Sequence, residues 1–194
     1  MIAVLFGPPG AGKGTQAKLL ARHFGIAHIS TGAMFRAEVE AQTVLGTEVS
    51  PILASGALVP DELTVRILES RMDHKDAAGG AILDGFPRTV AQAQALDRML
   101  AQQTRELTAV VNMNVPDEVL LERILKRAAD EGRTDDNRQA FTKRITVYRQ
   151  QTEPVIDYYK QTRTGVEYVD GVASIEEVNG RILDAVESAN GQRV

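Results

Sequence analysis

The chain's most pointed chemistry lies in Gly7-Pro8-Pro9-Gly10-Ala11-Gly12-Lys13-Gly14-Thr15, which joins a short apolar run to a helical pattern. Glycines let a backbone fold close around phosphate oxygens, successive amide hydrogens of such a turn point inward, and the following helix adds the positive end of its dipole. Lys13 stands in register to lie along the β- and γ-phosphates of a nucleotide. A glycine-rich turn without a ligand is the plain alternative, and the strand before, the helix after and the lysine in register weigh against it. At Gly14 the segment departs from the general phosphate loop, because Ser or Thr usually ligates magnesium there and the hydroxyl comes one residue later, at Thr15. Magnesium is therefore expected to be held less directly.

A second feature is the carboxylate that ends Ala81-Ile82-Leu83-Asp84. Open parallel sheets form their ligand crevice at the carboxyl ends of strands, so Asp84 is expected to orient magnesium through its waters. Without the phosphate loop it would read as a turn or cap residue. Moving a phosphoryl group between two polyanionic nucleotides gathers negative charge in one cleft and calls for several fixed cations rather than a base of special pKa. Arginine suits this need through its permanently charged, planar fork. The candidates are Arg36, Arg88, Arg123, Arg127, Arg133 and Arg144. Taken singly, each reads as part of a solvated helix face. Position favours Arg88, directly after Asp84-Gly85-Phe86-Pro87, and Arg127 and Arg133, which flank a charged, glycine-containing loop over 128–136. Periodicity does not choose among the rest.

These groups need a scaffold, and short apolar runs alternating with longer helical patterns indicate a parallel sheet covered on both faces. Five strands are expected, at Ile2 to Phe6, Ala27 to Ser30, Ala81 to Asp84, Ala109 to Asn114 and Val166 to Asp170. Ala17, Leu20, Ala21 and Phe24 fall at helical spacing before Gly25, a residue suited to a left-handed cap. Ser174 and Glu177 form a capping box for the last helix. Pro154 should kink or break the helical stretch from about 137 to 162. Residues 31–72 hold more helical pattern than one crossover needs, so this segment and the loop at 128–136 read as excursions from the core.

The chain has 194 residues with 22 basic and 26 acidic side chains intermingled, for a net charge of -4, so no basic stripe supports nucleic-acid binding. With no cysteine, disulfides and thiolate metal sites are excluded. Met1 leads straight into Ile2-Ala3-Val4-Leu5-Phe6, which lacks the charged start and apolar length of a secretory peptide. No other stretch reaches membrane-spanning length. The expectation is one cytoplasmic domain over 1–194.

Gly7 to Thr15, Ser30-Thr31-Gly32 with Met34-Phe35-Arg36, Leu58-Val59-Pro60-Asp61-Glu62, Asp84-Gly85-Phe86-Pro87-Arg88 with Gln92, and Lys126-Arg127, Gly132-Arg133, Asp135-Asp136 and Arg144 together resemble the adenylate kinases. The match runs in order over most of the chain and corresponds to that family's short-lid form. The resemblance implies a phosphate-loop three-layer α/β sandwich with a five-stranded parallel sheet flanked by helices, a mobile AMP-side flap at 30–59 and a short lid at 126–136. It implies transfer of the terminal phosphoryl group of ATP to AMP, giving two ADP, with magnesium as cofactor, by a monomer. Gly10, Ala11, Gly12, Lys13, Gly14 and Thr15 would hold ATP phosphates, Arg123 would lie on the ATP adenine with backbone near Ala173, and Arg127 would meet the phosphates. AMP would be held by Thr31, Arg36, the segment Ala57-Leu58-Val59, Gly85, Phe86, Pro87, Arg88 and Gln92, with Arg133 and Arg144 reaching phosphates from the lid side. Gln92 suits an adenine edge because a carboxamide offers both a donor and an acceptor.

Two departures from the family pattern stand out. Ala33 occupies a position where the family usually has an acidic residue, which leaves Asp84 as the chief candidate for the metal-water network. The short lid has neither cysteine nor the histidine pattern of zinc-bearing long lids, so no structural zinc is expected. The nearest competing reading is a uridylate/cytidylate kinase, and Thr31 with Gln92 favours adenine. A non-catalytic nucleotide switch needs no second nucleotide site, and Arg88, Arg133 and Arg144 argue against it.

Overall fold

The strands form where the sequence concentrates Val, Ile, Leu and Ala between glycines and polar residues, and they pair in one parallel sheet. A computed structural model describes residues 1–132 and 136–191. Strands β1 (Ile2–Phe6), β2 (Ala27–Ser30), β3 (Ala81–Asp84), β4 (Ala109–Asn114) and β5 (Glu167–Asp170) lie in the order β2-β3-β1-β4-β5. The last strand begins one residue later than the sequence suggests. It is also an exposed edge, with Val169 its one buried residue, whereas β1 is buried throughout.

Both faces of the sheet are covered, and alternate residues of β1 serve the two layers. Ile2, Val4 and Phe6 pack with side chains of helices α4 (Asp61–Met72), α5 (Val90–Gln102) and α8 (Glu153–Lys160). Ala3 and Leu5 pack on the other side with α1 (Lys13–Phe24), α6 (Asp117–Glu131), α7 (Arg138–Val147) and α9 (Ile175–Gly191). Continuous apolar strands rather than alternating ones are what this two-sided burial demands.

The excursion between β2 and β3 contains α2 (Thr31–Glu40), α3 (Val44–Ser55) and α4. Phe35, Val49 and Val59 form a small separate core there, joined by half-buried neighbours from α3 and α4. Helices α2 and α3 meet so closely at Gly46 that a Cβ would lie 2.0 Å from the Glu38 carbonyl oxygen. Only glycine permits that approach.

Helix ends follow their local signals. Gly25 adopts φ 62 after α1, and the Ser174 hydroxyl accepts from Glu177 N while a Glu177 carboxylate oxygen accepts from Ser174 N, which is a complete capping box. The stretch around Pro154 is broken as expected. It divides into α7, one π-helical turn over Tyr148–Thr152, and α8 with the proline in its first turn. Proline lacks the N–H that would continue the ladder, and the wider turn absorbs the interruption.

Candidate functional site

Strands β3, β1 and β4 lie side by side at the sheet centre, and the chain runs on from β1 to β2 at one edge of the sheet and from β4 to β5 at the other. Their carboxyl ends therefore open onto a crevice. Its volume is about 690 Å³, and its walls include residues 9–16, Asp84 to Arg88, Met113, Arg123, Lys126, Arg127, Asp130 and Arg144.

The phosphate loop forms the floor. Gly10 has φ 89 and sits so near α6 that a Cβ would lie 2.7 Å from the Leu120 carbonyl oxygen, so this turn depends on glycine twice over. The Lys13 ammonium folds back over the loop, donating to the Gly7 carbonyl at 2.6 Å and the Pro8 carbonyl at 2.9 Å. Burial pulls its pKa down to about 8; Asp84 opposes the shift, and Arg88 and Arg127 add to it. Such an ammonium is short of compensating negative charge, which an entering phosphate would supply.

Asp84 faces the first turn of α1, where a Cβ on Gly14 would lie 3.4 Å from its Oδ2. Glycine in the slot usually held by Ser or Thr thus leaves space beside this carboxylate. Burial pushes the Asp84 carboxyl up, but His28, Lys13 and Arg88 outweigh burial and hold it below the usual carboxylate range. His28 Nε2 is 3.7 Å from Asp84 Oδ2, an electrostatic neighbour too distant for a hydrogen bond. That nitrogen is buried without a hydrogen-bond partner. No group of three or more His, Cys, Asp or Glu among the described residues forms a metal cage. A single ionised carboxylate beside a phosphate site, with the Thr15 hydroxyl also in the wall, is nevertheless a donor set that suits magnesium, which keeps most of its waters and takes further oxygens from phosphates.

Four of the arginines reach the crevice from the segment after β3, from α6 and from α7. Arg88 follows β3 through Gly85, which has φ 77, and through a cis Phe86–Pro87 peptide. Its Nε donates to the Gly85 carbonyl at 2.7 Å, and Thr152 Oγ1 on the π-turn donates to the Arg88 carbonyl at 3.0 Å. Burial and the neighbouring Arg144 lower the Arg88 pKa against the pull of Asp84. Arg123 and Arg127 lie one helical turn apart on α6. Arg123 donates to the carbonyls of Ala11 at 3.4 Å and Gly171 at 3.0 Å, bridging the phosphate loop and the end of β5. Arg127 makes two hydrogen bonds to Asp136, at 2.6 and 3.0 Å, and Arg144 on α7 donates to the same carboxylate at 2.7 Å. Arg133 lies outside the described residues, so the loop at 126–136 is described only in part.

On the opposite wall, Arg36 on α2 lies against Gly32, and Ala57 and Leu58 border the crevice together with Gly85, Phe86 and Pro87. Ala173 and its neighbours close the far end. Three expected residues stand behind the wall rather than in it. Thr31 is buried and its hydroxyl donates to the Gly85 carbonyl at 2.8 Å. The Val59 side chain belongs to the small core, and Gln92 is buried with its carboxamide bound to Arg88 N and Asp61.

Sequence reasoning did not single out His28, Asp136, Thr152 or Asp61 as members of this site. Asp136 had a visible signal in the Asp135-Asp136 pair after Gly132-Arg133. His28 had none, because its place opposite Asp84 follows from β2 pairing with β3 in register Ser30↔Asp84.

Comparison with known proteins adds to this geometry. The family model described as "Adenylate kinase" matches residues 5–164. The chain is 48% identical over 186 residues to the adenylate kinase of Stenotrophomonas maltophilia (strain R551-3), covering 96% of this chain and 99% of that protein. It is 50% identical over 186 residues to the adenylate kinase of Xanthomonas campestris pv. campestris (strain B100), with the same coverage of each chain, 96% and 99%. Against the adenylate kinase of Caulobacter sp. (strain K31) identity is 47% over 182 residues, 94% of this chain and 96% of that one.

Proposed function

The chain belongs to the adenylate kinase family, and from that premise we propose that its crevice transfers the terminal phosphoryl group of ATP to AMP, giving two ADP. One observation carries the reading: Lys13, Asp84, Arg88, Arg123, Arg127 and Arg144 all border a single crevice at the strand ends.

In this reading ATP enters with its phosphates on the loop from Gly10 to Thr15 and its adenine between Arg123 and Ala173. AMP enters from the α2 and α3 side, with Arg36 and Arg88 on its phosphate, Gln92 at its adenine, and Thr31, the 57–59 segment and Gly85 to Pro87 shaping the pocket. The two nucleotides then meet end to end, and an AMP phosphate oxygen attacks the γ-phosphorus of ATP in line as ADP leaves. No side chain needs to act as a base, since the attacking phosphate is already anionic. Rate enhancement comes from alignment and from guanidinium and ammonium groups fixed around the group in flight. Lys13, which bonds the Gly7 and Pro8 carbonyls, exchanges them for phosphate oxygens. Magnesium carried by ATP supplies charge neutralisation across the phosphates, and Asp84 with Thr15 would hold it through water. No zinc takes part.

Residues 30–59 act as a flap over AMP and 126–136 as a short lid over ATP, with Arg133 and Arg144 arriving from the lid side. The separate small core around Phe35, Val49 and Val59 supports movement of the flap as a unit. Closure excludes the water that would otherwise take the phosphoryl group. The protein works as a cytoplasmic monomer on ATP, AMP and ADP; no helix among the described residues is long and apolar enough to cross a membrane.

The test is phosphotransfer from ATP with magnesium to AMP, CMP and UMP in turn, followed by ADP formation. AMP should be the best acceptor by at least about 100-fold, a few kcal/mol of pocket discrimination. Equal or faster transfer to CMP would overturn the assignment of the acceptor.

A further inference from the structure

Asp61, the first residue of α4, is held between the start of α5 and the residue expected to read the acceptor base. Its Oδ1 accepts from Gln92 Nε2 at 2.7 Å, and its Oδ2 accepts from Thr89 Oγ1 at 2.9 Å. On the other side of the carboxamide, Arg88 N donates to Gln92 Oε1 at 2.7 Å. The Thr89 hydroxyl in turn accepts from Gln92 N at 3.1 Å as the cap of α5. Gln92 is 1% exposed, so no solvent competes for these positions.

This arrangement allows one orientation of the amide. An ionised carboxylate only accepts and a backbone N–H only donates. Turning the carboxamide over would set its oxygen against the Asp61 carboxylate and its NH2 against the Arg88 N–H. Of the four hydrogen-bonding positions on Gln92, one N–H and one oxygen lone pair remain. That remainder matches the edge of a 6-aminopurine, where an acceptor nitrogen stands beside an amino donor. A 6-oxopurine presents the reverse pattern, a ring N–H beside a carbonyl.

We propose that Asp61 is a positioning residue which fixes the Gln92 carboxamide against Arg88 N and thereby selects 6-aminopurine over 6-oxopurine monophosphates as phosphoryl acceptors. The proposal rests on the reading above, that Gln92 meets the acceptor base.

The experiment compares kcat/KM for AMP and for inosine monophosphate in the full chain and in two variants. Asp61→Ala should raise the KM for AMP about tenfold and reduce the AMP-to-inosine-monophosphate ratio about tenfold, leaving the KM for ATP within about twofold, because a buried reader loses one of its two orienting partners. Asp61→Asn still offers an acceptor to Gln92 Nε2 and should keep that ratio within about threefold of the unaltered protein. An unchanged ratio in Asp61→Ala, or an Asp61→Asn ratio as low as that of Asp61→Ala, would overturn the proposal. Should Asp61→Ala fail to fold, the side-chain amide signals of Gln92 in the unaltered protein decide the matter. Slow hydrogen exchange and shifts displaced from those of free glutamine are expected, and rapid exchange at free-glutamine shifts would overturn it. Failure of the unaltered protein to phosphorylate AMP would instead sink the functional reading, and the amide signals would still report whether Asp61 fixes Gln92.

Discussion

Lys13 is held as an ammonium in a place that disfavours its charge, and this makes nucleotide binding measurable through protons. Burial lowers its pKa from the ordinary 10.5 to about 8. At about 1.36 kcal/mol per pH unit, burying the charged form costs the folded protein about 3 kcal/mol. Below pH 8 the folded and unfolded chains both carry the proton, and the cost is fully present. Between about pH 8 and 10.5 the unfolded chain holds more protons than the folded one, so stability rises with pH through that window. ATP phosphates beside Nζ should restore the proton, because an adjacent negative charge favours the ammonium. A group with a pKa of about 8 is about three-quarters deprotonated at pH 8.5 and about one-tenth deprotonated at pH 7. Magnesium-free ATP should therefore take up about 0.7 proton per chain at pH 8.5, where the phosphates themselves are fully ionised. Titration calorimetry in two buffers of different ionisation enthalpy measures that number directly. Lys13→Arg carries a charge that does not titrate in this range, so its uptake should vanish at the same pH. No uptake by the unaltered protein at pH 8.5, or equal uptake by Lys13→Arg, would refute the reasoning.

Arg88→Ala should lower turnover by a factor on the order of 10³ with the fold retained, since the lost contacts act on the transferring group; steady-state kinetics with circular dichroism checks both parts. Gly46→Ala should destabilise the protein by at least about 2 kcal/mol, because its Cβ would meet backbone atoms of α2 that have nowhere to move; denaturant unfolding reads the loss. Asp136→Ala removes a buried carboxylate that binds the Arg127 and Arg144 guanidinium groups and should cost about 2 kcal/mol, a figure kept modest because the Arg127 side chain is 31% exposed. Elemental analysis of purified protein should find no stoichiometric zinc.

What could be read from the chain divides along the distance over which the information acts. The phosphate loop, the strand that enters it and the helix that leaves it occupy one continuous segment, so residues 2–24 explain themselves. Local chemistry likewise located the capping box at Ser174 and the break near Pro154. The extent of β5 was less legible, because an exposed edge strand with one buried residue carries little apolar pattern. Side chains drawn together by sheet order were not legible at all. His28 faces Asp84 across 56 residues of chain, and Asp61 meets Gln92 across 31, through pairings that hydrophobic spacing does not encode. The close contact at Gly46 has the same origin, since it depends on how α2 and α3 cross. Among the arginines, Arg123 and Arg127 share one face of α6, but the carboxylate that ties Arg127 to Arg144 arrives from beyond that helix.

The central claim is that one crevice binds two nucleotides with their phosphates meeting. Titrating the protein with a dinucleotide in which two adenosines are joined through a chain of phosphates tests this most directly. One molecule should bind per chain and exclude both ATP and AMP, and Arg88→Ala should weaken it. Continued binding of AMP at saturating dinucleotide would contradict the account.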